Sequence, residues 1–198
     1  MPDTVSIYFD YYSPYAYFLS EALEGALAAA LAPYGVETEW KPIDVVALLG
    51  LAYADCYVPA KRRYVNRDVF RCAEFYRVPL APPQPWPLSS QFALRVSVLI
   101  GAQPYFAEFR RRVFRAAWAQ QRDIADADVL RECLIASGGD AQYIEAARSN
   151  EAGARLAALT AQAQRENVFG VPLMQYRDEY FFGRDRLDML LWRLAQRG

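Results

Sequence analysis

The chain has 198 residues, of which 54% are hydrophobic and 23% charged, with a formal net charge of −1 and no histidine. Such a composition is that of a globular protein of one or two domains with enough apolar residues for a core. The near-neutral charge argues against a nucleic-acid-binding protein, which would carry an excess of basic residues. The absence of histidine excludes Ser-His-Asp and Cys-His triads, imidazole acid–base catalysis and zinc sites that need histidine.

The three cysteines, Cys56, Cys72 and Cys133, are widely spaced and form no CxxC pair. An odd number of separated cysteines predicts buried or incidental thiols in a reducing compartment, and neither a disulfide framework nor a metal site. The first twelve residues have no basic region followed by an apolar stretch, so no targeting segment is predicted. We therefore expect a cytoplasmic protein without a metal.

The first 42 residues predict a β-α-β unit. Residues 5–11 are β-branched and aromatic, as in a buried strand. Ser13-Pro14 is a typical start for a helix, and apolar residues at a spacing of three and four extend that helix over 14–33. Residues 36–40 form the second strand, parallel to the first because a helix connects them.

Residues 43–150 predict helices only. Asp44 caps a short helix over 45–51, and longer helices follow over 59–76, 89–100 and 105–119. A loop over 79–87 contains five prolines. Two further helices are expected to be capped by Asp126 and Asp140. Four arginines of the 105–119 helix are expected to face solvent, opposite its apolar stripe: Arg110, Arg111, Arg112 and Arg115.

The last 48 residues return to mixed structure, with a helix over 151–166, strands over 173–176 and 180–182, and a closing helix over 186–196 capped by Asp185. Pairing both ends of the chain in one four-stranded sheet predicts an α/β, thioredoxin-like fold (β-α-β … α-β-β-α). In this interpretation residues 1–42 and 151–198 form a discontinuous thioredoxin-like domain, and residues 43–150 form an all-helical insertion domain.

The first candidate motif is Ser13-Pro14-Tyr15-Ala16, at the junction where thioredoxin-type oxidoreductases carry CxxC. Because it contains no cysteine, dithiol exchange at this position is excluded. Serine before proline often does no more than begin a helix. A hydroxyl at a helix N-terminus can also donate a hydrogen bond to an anion, such as the thiolate of a small-molecule thiol.

Two further motifs lie near the end of the chain. Residues 168–172 (VFGVP) are either a plain loop into a strand or, in a thioredoxin-like fold, carry a cis Pro172 that turns the preceding backbone toward an extended peptide. In residues 181–187, Asp185 is either a helix cap or a partner for an ammonium, with Gly183 to Asp185 offering N–H groups to a carboxylate. None of the cysteines lies in these three motifs, which together predict a site for a thiol-bearing peptide.

The sequence resembles the 2-hydroxychromene-2-carboxylate isomerases and the related kappa-class glutathione transferases, within the DsbA-like thioredoxin folds. The resemblance rests on five segments in the same order and spacing: residues 8–17 (YFDYYSPYAY), 41–44 (KPID), 60–80, 114–126, and 168–190. It covers essentially the whole chain.

The resemblance implies a glutathione site and a homodimer. By position, Ser13 is the catalytic residue that contacts the glutathione sulfur, and Trp86 touches the second substrate. The remaining implied cofactor-binding residues hold the cysteinyl and γ-glutamyl units: Val171, Pro172, Phe182, Gly183, Arg184 and Asp185. Lys61 either reaches the glycyl carboxylate of glutathione or is a plain surface residue.

The sequence also departs from the family. An asparagine or, in the isomerases, a lysine is common after the second strand, but Leu48, Leu49 and residues 51–58 contain neither. Arg184 stands where glutamine, asparagine or serine is common. These differences bear more on the second substrate than on glutathione.

Three functions follow as hypotheses. The first is a glutathione-dependent isomerase of an aromatic-catabolism-like hydroxy acid or enone. The second is a kappa-like glutathione transferase, which consumes glutathione at the same site. The third is a non-catalytic thioredoxin-like binding module in which Ser13 is only a helix cap.

Overall fold

The computed structural model describes residues 3–23, 31–50 and 59–196. The chain begins with strand β1 (Asp3–Phe9), helix α1 (Pro14–Leu23), a 3₁₀ turn (Ala32–Tyr34) and strand β2 (Val36–Pro42). Within the described ranges, the residues from the end of β2 to residue 165 form helices and no strand. Strands β3 (Leu173–Tyr176) and β4 (Glu179–Phe182) follow, then a 3₁₀ turn (Arg184–Arg186) and the closing helix α9 (Leu187–Ala195).

Seven helices lie between β2 and β3 in the described part of the chain. They are α2 (Val45–Leu49), α3 (Pro59–Tyr76), α4 (Gln91–Ile100), α5 (Phe106–Trp118), α6 (Ala127–Ala136), α7 (Gln142–Ala146) and α8 (Asn150–Arg165). Along 3–23, 31–50 and 59–196, no helix is both long and apolar enough to cross a membrane.

The four strands form one sheet in the order β2-β1-β3-β4. Strand β1 is parallel to β2, with Val5 opposite Thr38, and antiparallel to β3, with Tyr8 opposite Leu173. The predicted four-stranded sheet and thioredoxin-like topology are therefore confirmed. The division into two domains at residues 42 and 151 stays a prediction.

Local signals placed several helices correctly. Helix α3 has the predicted bounds, and Asp44 and Asp126 accept hydrogen bonds from the first turns of α2 and α6 as predicted. The predicted extension of α1 through residues 24–30 lies outside the described residues. The prediction that Asp185 caps the closing helix is wrong: it lies inside the 3₁₀ turn, and α9 begins after Arg186 without a side-chain cap.

Aromatic side chains fill the core between the sheet and α5. Phe9 is fully buried, and its ring contacts those of Tyr11, Trp40, Phe106 and Phe114. Trp118, at the end of α5, donates its indole N–H to the Tyr11 carbonyl over 2.8 Å. This hydrogen bond connects the end of α5 to the residues just after β1.

The prediction that all four arginines of this helix face solvent is wrong for Arg110. Its side chain is buried, and its guanidinium lies 3.7 Å from the centre of the Trp40 ring. A planar, delocalised cation can stack on an aromatic face with little loss of hydration, which makes this burial possible.

Candidate active site

Ser13 lies at the start of α1, where the chain leaves the central strand β1. Its side chain is buried, and its Oγ accepts a hydrogen bond from the Ala16 N–H over 3.2 Å, as a helix-capping serine does. The same hydroxyl donates to the Val171 carbonyl over 3.3 Å. This second bond is long, so little free energy is lost when the hydroxyl turns to a better acceptor such as a thiolate.

Val171 and Pro172 lie opposite Ser13, directly before β3. The bond between them is cis, as predicted. The Pro172 carbonyl accepts a hydrogen bond from the Gly183 N–H over 2.9 Å, which joins this loop to the turn after β4. The structure therefore brings the three motifs of the sequence together at one end of the sheet.

Two glycines permit this close approach. Gly183 has a φ of 97°, in the left-handed region, and a Cβ there would lie 2.6 Å from Asp185 Oδ1. At Gly170 a Cβ would lie 3.0 Å from the Phe182 ring. Phe182 itself is half exposed and contacts the ring of Phe169, so the two phenylalanines form an apolar rim beside the turn.

The 3₁₀ turn at residues 184–186 supplies charge of both signs. The Gly183 N–H donates to the Pro172 carbonyl and is therefore not available to a ligand. The N–H groups of Arg184 and Asp185 begin a helical turn and make no hydrogen bond within it, so these two are the predicted backbone donors that a ligand could use. The Arg184 guanidinium stacks on the Tyr76 ring at 4.1 Å, and its buried Nε has no hydrogen-bond partner among the described residues. The exposed Asp185 carboxylate pairs with Arg186 at 2.9 Å.

Sequence reasoning missed the contribution of α3 to this site. The Tyr15 hydroxyl, on α1, donates to Asp68 Oδ2 over 2.9 Å, and the Cys72 thiol donates to the same oxygen over 3.7 Å. Asp185 is close enough to act on the Cys72 thiol electrostatically. None of the cysteines lies in the three motifs, but Cys72, on α3, lies near them in the fold; its spacing of four from Asp68 was the available signal, since both face one side of a helix.

Cys72 is nevertheless a poor nucleophile. Burial, the Asp68 carboxylate and, more weakly, Asp185 raise the pKa of its thiol to about 11. At neutral pH the thiol is protonated, and the thiolate is the reactive form. Cys133 is buried, and Cys56 lies outside the described residues.

The arrangement could hold a ligand that carries an ammonium and a carboxylate on one carbon. Asp68 and Asp185, which now pair with Arg71 and Arg186, are the carboxylates that an ammonium could bind, and the Arg184 guanidinium is the cation that a carboxylate could bind. Lys61 is exposed in the first turn of α3, and its role stays a prediction.

Trp86 lies on the proline-rich loop and is 59% exposed. Its ring centre is 5.2 Å from that of Tyr12, the residue before Ser13, and 6.5 Å from that of Trp118. An exposed indole beside the Ser13 turn offers a flat apolar face to a ring-containing molecule. Of the segment where the family has asparagine or lysine, Leu48 is buried, Leu49 is half-buried, and residues 51–58 lie outside the described part of the chain.

The fold and this site define a thioredoxin-like protein whose CxxC position holds serine. Residues 4–195 match the model of the DSBA-like thioredoxin domain, and the chain belongs to that family.

The relatives that the chain matches carry a more specific name than this family. The chain is 29% identical to a 2-hydroxychromene-2-carboxylate isomerase of Sphingobium xenophagum, over 96% of this chain and 97% of that one. It is also 29% identical to an enzyme of the same name from Pseudomonas putida, over 94% and 91% of the two chains. A solved 2-hydroxychromene-2-carboxylate isomerase superposes with a TM-score of 0.82 at 27% identity, covering 98% of this chain and 95% of its own.

We predict that Cys72 is alkylated slowly at neutral pH. With a thiol pKa near 11, its rate with iodoacetamide should rise about tenfold per pH unit between pH 7 and 10. Asp68→Asn removes an anion that disfavours the thiolate, so the rate at pH 8 should increase. Peptide mass spectrometry measures Cys72 by itself; a rate that levels off below pH 9 in the wild type would contradict the electrostatic argument.

Proposed function

We propose that the protein is a glutathione-dependent isomerase of the 2-hydroxychromene-2-carboxylate isomerase type. One observation carries the proposal: the Ser13 hydroxyl stands at the N-terminus of α1 and 3.3 Å from the Val171 carbonyl, where a thioredoxin would hold its reactive thiol. The site thus offers a hydrogen-bond donor and a helix N-terminus to a sulfur that the ligand brings.

The contribution of Ser13 can be expressed as a pKa change. A hydrogen bond to a charged acceptor stabilises it by roughly 1.5–3 kcal/mol, which lowers the pKa of a bound thiol by about one to two units. A free thiol of pKa near 8.5 is only a few per cent ionised at pH 7. With the Ser13 bond, roughly a quarter to three quarters would be thiolate.

Glutathione, when bound, would supply a thiolate nucleophile for reversible addition to the conjugated double bond of the substrate. The Ser13 hydroxyl would donate a hydrogen bond to the sulfur while it is a thiolate, and not while it is bonded to the substrate carbon. Arg184 and Asp185 would fix the γ-glutamyl end, Phe182 and Gly183 would shape the turn, and the backbone of Val171 before Pro172 would align the cysteinyl unit. None of these roles requires histidine.

The alternatives use the same residues differently. A kappa-like transferase would share the glutathione site and transfer glutathione to the second substrate. The names of the relatives at 29% identity favour the isomerase. In the third hypothesis the protein only binds, and Ser13 serves as a helix cap. The predicted homodimer and cytoplasmic location stay predictions.

We predict that Ser13→Ala lowers kcat/KM at pH 7 roughly ten- to twentyfold, because the bound thiol loses its charge-stabilising donor. The ultraviolet absorbance of bound glutathione thiolate, titrated with pH, should show the pKa of the thiol rising by about one to two units. Isothermal calorimetry with glutathione on both proteins checks that the site is still occupied.

Ser149→Ala is the matched control. Ser149 caps α8, with its Oγ accepting from the Ala152 N–H over 3.2 Å, the same distance as the cap bond of Ser13. Both variants should lose about 1 kcal/mol of stability, and only Ser13→Ala should change the thiol pKa. If both variants lost the same catalytic activity, Ser13 would act only as a helix cap. If the wild type did not bind glutathione, both enzyme hypotheses would be overturned.

We predict that glutathione is regenerated in every turnover. Over hundreds of turnovers with a chromene carboxylate or a related conjugated hydroxy acid, the free thiol concentration should stay constant while substrate and product interconvert. Thiol titration and mass spectrometry of the mixture provide the measurement. Stoichiometric loss of thiol with formation of a thioether would show the transferase instead.

We predict that Trp86→Leu raises KM for a ring-containing second substrate about two- to tenfold, the value of one aromatic stacking contact. The affinity for glutathione should not change, because Trp86 lies on the proline loop and not at the γ-glutamyl turn. Trp192→Leu, which alters a tryptophan of similar exposure on α9, is the control. Equal KM values for the two variants would remove Trp86 from the substrate site.

A further inference from the structure

Asp10 is a fully buried carboxylate directly beneath the Ser13 turn. Its Oδ1 accepts a hydrogen bond from the Tyr12 N–H and its Oδ2 from the Val45 N–H, both over 3.0 Å. The side chain of Ser90 also acts on this carboxylate and favours its ionised form. One carboxylate thereby joins the turn after β1 to the first residue of α2.

The same residue also holds Ser13 through the backbone. The Asp10 carbonyl accepts the Ser13 N–H over 3.1 Å, so Asp10 contacts the turn at two successive positions, residues 12 and 13. Ser90, the residue before α4, has a helical backbone conformation and makes no side-chain cap to that helix. The position of the Ser13 hydroxyl therefore depends on a group that does not itself face the ligand.

The charges around Asp10 come from several elements. From the loop before α2, Asp44 is the nearest like charge, although it is bound by the Ala47 N–H and by the Gln91 amide of α4. Burial raises the pKa of the Tyr11 phenol. Cys133 of α6 and Asp10 add to this rise, and Arg110 of α5 opposes it.

Burial raises the pKa of the Asp10 carboxyl to about 6, Asp44 adds to the rise, and the bonds from Ser90, Tyr12 and Val45 limit it. Among the described residues this is the one group whose pKa is shifted to a value between 5 and 7, and the chain has no histidine.

We infer that Asp10 is a positioning residue for the glutathione site: its ionised carboxylate holds the Ser13 turn against α2, and its protonation weakens that hold. A protonated carboxyl has lost the negative charge that strengthens the bonds from the Tyr12 and Val45 N–H groups, so both bonds become weaker. This inference rests on the proposed function and adds to it the group that maintains the geometry of the site.

The binding test uses γ-glutamyl-alanyl-glycine, which is glutathione with hydrogen in place of the thiol. This probe has no group that titrates between pH 5 and 7.5, so calorimetry across that range does not report on thiol ionisation. For the wild type we expect Kd to rise about tenfold or more on going from pH 7.5 to 5. Asp10→Asn should bind weakly at both pH values, with a ratio of Kd values near one.

Ser90→Ala separates titration from simple destabilisation. It removes a bond that lowers the pKa of Asp10, so the midpoint of the pH dependence should move to higher pH while binding at pH 8 is retained. Asp126→Asn, at a capping aspartate of α6 remote from this turn, should match the wild type at every pH. An unchanged midpoint in Ser90→Ala, or wild-type affinity in Asp10→Asn at pH 7.5, would overturn the inference.

Amide hydrogen exchange gives a readout that needs no ligand. At pH 7, Asp10→Asn should exchange the N–H groups of Tyr12, Ser13 and Val45 at least about tenfold faster than the wild type, and Asp126→Asn should not. If the wild type fails to bind the probe at pH 7.5, the proposed function fails, and the exchange rates alone decide the role of Asp10. Unchanged exchange rates at all three residues would overturn the inference that Asp10 positions the Ser13 turn.

Discussion

The antiparallel pairing of β1 with β3 is the constraint on which the site depends. With Tyr8 opposite Leu173, the chain that leaves β1 and the chain that enters β3 meet at the same end of the sheet. Ser13 and Val171 are 158 positions apart in sequence, yet this register places their polar atoms within hydrogen-bond distance. The pairing of β3 with β4 then brings the turn at Gly183 to the Pro172 carbonyl.

Buried polar groups hold this end of the sheet in place. A carboxylate removed from water is costly unless it accepts hydrogen bonds, and Asp10 and Asp44 each accept two. Their donors come from different elements, so satisfying the two charges also fixes α2 and α4 relative to β1. Two aspartates and the backbone N–H groups that they bind thus hold this end of the sheet in place.

Among the described residues, the side chains at the site are poor nucleophiles at neutral pH. The one thiol next to the site, Cys72, lies among carboxylates that suppress its ionisation. The same carboxylates favour an ammonium, and the N-terminus of α1 favours an anion. These charges disfavour attack by the chain's own sulfur, and under the proposed function they would hold the charged end of a peptide thiol.

The sequence by itself determined the elements whose causes are local. The β-branched run before Ser13 predicted β1, apolar spacing predicted α3 to the residue, and Asp44 and Asp126 were recognised as caps, because these signals depend on neighbours within about four positions. The three motifs of the site were also readable, since each lies at the end of a strand.

Tertiary structure decided the rest. Asp185 proved to lie in a 3₁₀ turn, Cys72 proved to lie near the site, and Asp10 proved to be a fully buried carboxylate that binds both the turn after β1 and α2. The exposure of a side chain and the charges around it depend on residues far away in sequence, such as Val45 and Ser90 around Asp10. Desolvation and Coulomb interactions follow distance in space, and spacing along the chain does not reveal that distance.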